Sequence, residues 1–172
     1  MPNNRKRQNI GIFIDEANIY HSQKTLGWKV DYLKLKEHFE KIGKIKVLNF
    51  YTSFMDKNIY QKDRFNKLQK NGFKIIKKQL KFIKTMSGLI IKKGNLDIEL
   101  ALDAYIEKNN YNILVLFSGD SDFEYLLKIL KDKYIIIVST RKHISKELLN
   151  VSDEYIDLKK LTDNIRIKES QH

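Results

Sequence analysis

The sequence contains no cysteine and only one proline among its 172 residues. The first absence excludes disulfides, thiolate metal ligands and cysteine nucleophiles together. Its longest apolar runs, such as residues 135–138, extend over only a few positions, so none has the length a bilayer span needs. No apolar stretch of signal-peptide length follows the polar, basic residues 1–8, and a soluble cytoplasmic protein without membrane contact is the expectation. What is present suffices for a packed core: 42% of residues are hydrophobic against 31% charged, outside the range of disordered chains. The length suits a single domain. We place it at residues 9–161, between a basic N-terminal extension (1–8) and a C-terminal tail (162–172).

Acidic charge is scarce in one part of the chain. The net charge is +12, from 33 Lys and Arg against 21 Asp and Glu. Residues 57–93 hold twelve of the basic residues and a single acid, Asp63, and the rest of the chain is nearly balanced. Such an excess favours polyanions, of which nucleic acid is the commonest in a cell. A lysine-rich background would raise lysine everywhere rather than in one segment.

Short apolar runs alternate with amphipathic ones. Residues 10–14, 45–51, 73–76, 113–117 and 134–139 read as strands. Asp31 is placed to cap a helix with Leu35, Phe39 and Ile42 on its apolar face, stopped by Gly43. Further helices are expected over 58–71 (closed by Gly72), 96–109, and from the fourth of these strands to residue 131. Residues 80–91, broken by Ser87-Gly88, read as a hairpin, and short helical pieces follow residue 144. Strands apolar on both faces alternating with helices indicate a parallel sheet covered by helices on both sides.

Ligands of such sheets bind beyond the carboxyl ends of the strands, and acids cluster there. Asp15 ends the first strand, and Asp120 and Asp122 follow the fourth. Asp97 opens a helix on which Asp103 also lies. Carboxylates gathered at one rim repel one another unless a cation intervenes, and oxygen donors suit Mg²⁺ or Mn²⁺. Each acid also has a plain structural reading. Ser121 with Glu124 fits a capping box, and Asp97 fits the helix macrodipole. Asp103 is turned about 240° from Asp97 on a helix, and suits a surface acid or a lysine partner.

Three segments carry a resemblance. Phe13-Ile14-Asp15-Glu16-Ala17-Asn18-Ile19 resembles the opening motif of the NYN domain, a branch of the PIN-like nuclease superfamily that includes the LabA-like proteins. Lys93-Gly94-Asn95-Leu96-Asp97, with Asp103 behind it, resembles the second motif. Phe117-Ser118-Gly119-Asp120-Ser121-Asp122-Phe123 resembles the third, and the segment from Ser145 through Leu148 to Leu158 resembles the closing one. The resemblance implies a three-layer α/β/α, PIN-like or Rossmann-like fold around a mainly parallel sheet, and a metal-dependent ribonuclease with Asp15, Asp97, Asp120 and Asp122 as the catalytic and metal-binding acids. Asn18 is implied as a polar companion orienting Asp15 or a water, with Ser118 and Lys93 at the edge of the site. Glu16 departs from the glycine that many relatives carry and adds a carboxylate there.

On this reading Lys93 contacts a phosphate near the scissile bond, and Arg64, Lys67, Lys78 and Lys81 guide the RNA backbone. Of the interleaved aromatics, Tyr60, Phe65, Phe73 and Phe82, most fall on core positions and one is left for stacking on bases. Two alternatives stay open: a non-catalytic RNA- or DNA-binding module, and a phosphatase or small nucleotide hydrolase. His21, His38, His143 and His172 pair with no serine and acid and read as structural or surface. His143, beside Arg141 and Lys142, is the one placed for a phosphate contact. No feature of the sequence signals an oligomeric state.

Overall fold

A computed structural model describes residues 8–55 and 59–168, the side chain of Lys92 excepted. The proposed extension over residues 1–7, Lys57, the expected helix start at Asn58, and His172 lie outside the described residues. Six strands form one wholly parallel sheet in the order β3-β2-β1-β6-β7-β8. They are β1 (Asn9–Asp15), β2 (Lys44–Phe54), β3 (Lys74–Gln79), β6 (Ile113–Phe117), β7 (Tyr134–Ser139) and β8 (Glu154–Asp157). A separate antiparallel hairpin pairs β4 (Lys81–Lys84) with β5 (Ile90–Lys93).

The central strands are buried on both sides, which is why their sequences are apolar without alternation. Ile10, Ile12 and Ile14 of β1 face one core, with Leu35 and Phe39 of α2 (Tyr32–Glu40) and Phe65 of α3 (Ile59–Lys70). Ile19 of α1 (Glu16–Leu26) and Ile165 of α7 (Thr162–Ile165) close that layer. Phe13 faces the opposite core, with Leu100 of α4 (Asp97–Ile106), Leu127 of α5 (Glu124–Ile129) and Leu148 of α6 (Lys146–Val151). The fold is therefore the three-layer α/β/α sandwich, with helices on both faces.

Several expectations hold at the level of single residues. The Asp31 carboxylate caps α2 by accepting from the backbone N–H groups of Leu33 and Lys34. Gly72 ends α3 with φ +89°, a conformation that glycine adopts without steric cost. Three readings need correction. Residues 16–26, given no element above, form α1. The stretch after residue 144 contains β8 besides its helical pieces, a sixth strand on the sheet edge. The capping box is not formed: Asp120, not Ser121, caps a 3-10 turn (Ser121–Phe123) by accepting from the Asp122 N–H, and Glu124 pairs instead with Lys128.

Candidate active site

The chain leaves β1 toward β2 on one side and returns to β6 on the other, so the gap between β1 and β6 is a topological switch point. Ile14 is in register with Phe117, which brings Asp15 and Ser118 out of the sheet together. The fully buried Ser118 donates its hydroxyl proton to one Asp15 oxygen at 3.0 Å. The Asn18 backbone N–H donates to the other at 3.2 Å. Burial pushes the Asp15 pKa up to about 6. These two hydrogen bonds oppose the shift, and the charges of Asp97 and Asp120 add to it.

The turn after β6 is clamped from three directions. Gly119 N–H donates to Asn18 Oδ1 at 3.0 Å, and Ser145 N–H donates to the Gly119 carbonyl at 3.0 Å. Ser118 Oγ accepts from the Asp120 N–H at 3.3 Å. A methyl group on Gly119 would collide with the His143 carbonyl, so the close approach of these two loops requires glycine. Held this way, Asp120 and Asp122 project toward the start of α4. There Asn95 fixes Asp97 twice, accepting its N–H at 2.7 Å and donating to its carboxylate at 2.5 Å.

Asp97, Asp120 and Asp122 place carboxylate oxygens within 4.8 Å of one another. Burial raises the Asp97 pKa, the Asn95 hydrogen bond lowers it, and the charges of Asp120 and Asp122 raise it again. None of the three acids forms an ion pair with a described residue. Asp15 lies outside that trio but lines the same cleft, of about 450 Å³, with Asn18, Thr52, Ser53, Asp97 and Asp120. Converging oxygen donors with no protein cation among them fit a hard divalent ion such as Mg²⁺ or Mn²⁺. The macrodipole reading of Asp97 accounts for its position at a helix start but not for its approach to two other acids.

The other candidates divide. Glu16 is turned away from the trio: it accepts from Arg64 at 2.8 Å and from the Thr52 hydroxyl at 3.1 Å. Arg64 is thereby engaged, over the Tyr32 and Phe50 rings, and does not join the hairpin lysines. Lys67 lies with it along a second cavity rather than on the acidic cleft. Lys78 pairs with Glu99 and donates to the Asn95 carbonyl, which ties it to the start of α4. Lys81 and Lys93 are exposed and paired across the hairpin, one residue before Gly94 at the cleft wall. Asp103 faces elsewhere, accepting from Tyr51 at 2.9 Å with Lys74 at 3.9 Å. Of the interleaved aromatics, Phe65 and Phe73 are core, whereas Tyr60 and Phe82 are 89% and 54% exposed.

Two further residues belong to the site. His21, expected to be structural or on the surface, lines the cleft one turn beyond Asn18. The Asn18–His21 spacing announces this once residues 16–26 are known to be helical. Asn95, part of a motif but given no role, is the residue that orients Asp97. His143 makes its contact with Thr25, at 2.8 Å.

Comparison with known proteins agrees with this fold. The chain is 34% identical over 155 residues to the low amplitude and bright protein LabA of Synechococcus elongatus, covering 87% of this chain and 83% of that one. A solved structure from Vibrio parahaemolyticus, of a protein of unknown function, superposes with a TM-score of 0.78 at 20% identity, over 97% of this chain and all of the other. The NYN domain model matches residues 9–159, nearly the whole described chain and all three acidic segments: this protein belongs to the NYN domain family.

Proposed function

We propose that this NYN domain is a nuclease dependent on Mg²⁺ or Mn²⁺ that hydrolyses RNA phosphodiester bonds at the acidic cleft. The observation that carries the reading is the convergence of Asp97 with Asp120 and Asp122, from two separate segments, within 4.8 Å and without an ion pair to a described residue. These three residues, with Asp15 beside them, would hold the ion. A divalent ion there supplies charge neutralisation for the phosphodiester and acidifies water next to it. In the reaction a water oxygen bonds to phosphorus, one ester P–O bond breaks, and the departing alkoxide takes up a proton.

The chain's own groups keep the carboxylates in place. Ser118 and the Asn18 N–H hold both oxygens of Asp15, Asn95 holds Asp97, and the Asn18 side chain fixes the turn that carries Asp120 and Asp122. Lys93 and Lys81, next in the chain to the cleft residues Gly94 and Leu80, offer ammonium groups to phosphates flanking the scissile one. An open cleft bordered by exposed lysines suits a polymer better than an isolated nucleoside monophosphate, and this favours the nuclease over the phosphatase alternative. Replacing Asp120 by Asn is expected to abolish metal-dependent cleavage of an RNA oligonucleotide while leaving its binding intact or stronger. Undiminished cutting by that variant would overturn the proposal. Binding without turnover by the wild-type protein, under either metal, would leave the non-catalytic module in its place.

A further inference from the structure

A second, larger cavity of about 950 Å³ opens on the far side of Glu16, between α1, α2, α3 and the segment after α7. Five cations line it: Arg64 is paired with Glu16, and the other four (Lys24, Lys29, Lys67 and Arg166) form no ion pair with a described residue. Trp28, the only tryptophan of the chain, is half-buried in its wall. Tyr32 also lines it. That residue is more than nine-tenths buried, and its hydroxyl has no hydrogen-bond partner among the described residues. A buried hydroxyl left unpaired is uncommon, and this one is sealed beneath the cavity wall. The cavity is not isolated from the acidic cleft. Glu16 lines it and accepts from Thr52, which lines the cleft, so the Glu16–Arg64 pair is a shared partition.

We propose that this cavity is a nucleotide-binding site, taking a nucleobase against Trp28 and its phosphate among the unpaired cations. An indole face offers stacking to any base. Lysine and arginine without acidic partners offer charge-assisted hydrogen bonds to phosphate oxygens. The volume lies within the range of small-molecule and cofactor sites. The same chemistry comes from two sources: a free nucleotide, or a nucleotide of the strand whose neighbouring phosphate occupies the acidic cleft. Only the second source rests on the nuclease reading.

The test uses the full chain in EDTA, where metal-dependent cleavage is off, with the fluorescence of Trp28 as reporter and adenosine 5′-monophosphate as probe. A saturable change is expected. Adenosine alone, inorganic phosphate alone, and the Lys67→Ala/Arg166→Ala variant should each bind roughly tenfold or more weakly, as for the loss of one charge-assisted contact. An RNA oligonucleotide that displaces the monophosphate assigns the site to the strand. Simultaneous binding of both assigns it to a free nucleotide, and either result supports the proposal. No saturable change at millimolar nucleotide overturns it, as does equal affinity in the wild type and the double variant. Because cleavage is assayed separately with metal, failure here leaves the Asp120→Asn experiment unaffected.

Discussion

Asp15 is held where a carboxylate is uncomfortable. Its pKa of about 6 stands above the ordinary 3.8 because the sheet end buries it beside two other acids. The folded protein therefore keeps a proton through the window from about pH 4 to 6, where the unfolded chain has released it. Stability falls as pH rises through that window, and above it the ionised side chain costs on the order of 2–3 kcal/mol. Asn at this position keeps an oxygen for the Asn18 N–H and an amide for the Ser118 hydroxyl without the charge. In chelator, Asp15→Asn should be more stable than wild type to urea at pH 8, with the gap closing toward pH 4. Added Mn²⁺ should reverse the order at pH 8, because an ion bound only by the folded state raises its stability by mass action. A wild-type chain as stable as the variant in chelator at pH 8 would show that Asp15 carries no such penalty.

At the scale of elements, the cleft depends on helix α1 being tied to the turn after β6. Asn18 makes both connections: its N–H reaches back to Asp15, and its side-chain oxygen takes the Gly119 N–H. Asn18→Ala keeps the first and removes the second, leaving a part-buried donor unpaired. A loss of about 1–3 kcal/mol is expected in denaturant unfolding. A weaker Mn²⁺ affinity should accompany it in calorimetry, since the turn presenting Asp120 and Asp122 loses one of its clamps. A variant that loses stability but binds Mn²⁺ unchanged would separate the clamp from the acids. The same helix shows where the sequence was hard to read. Only Ile19 and Ser22 of α1 are buried, so it has almost no apolar stripe for periodicity to detect. In β8, Glu154 and Asp157 flank two half-buried residues on an edge, and its four positions lack the apolar run that marks β1, β6 and β7. The interior strands were legible because burial on both faces leaves them no polar option. Their terminal acids were legible for the converse reason, as charges placed where the apolar runs stop. The partnership of Glu16 with Arg64 spans 48 residues and has no local signature at all.

Over the whole molecule, the basic segment folds into something other than one continuous patch. Arg64 is committed to Glu16, Lys74 to Asp103 and Glu107, and Lys78 to Glu99. Lys67 faces the second cavity, across the Glu16–Arg64 partition from the acids. What remains on the edge strand and the hairpin is Lys77, Lys81, Lys84 and Lys93, none paired with an acid among the described residues. A net charge of +12 steers any polyanion toward the protein, but only cations that neutralise phosphates set the salt dependence of binding. If these four do so on a single strand, the slope of log affinity against log salt is about −3, a loss of roughly fiftyfold between 50 and 200 mM salt. Each lysine replaced by alanine should then take about 0.7 from that slope. Lys81→Ala/Lys84→Ala should flatten it by about 1.4 at unchanged melting temperature, because both side chains are exposed. Removing Lys74, already neutralised by two acids, should leave the slope where it was. Fluorescence anisotropy of a labelled RNA oligonucleotide in chelator, across a salt series, measures all three. Equal slopes for wild type and the hairpin variant would mean that the strand follows a path away from the hairpin, whatever the acids do.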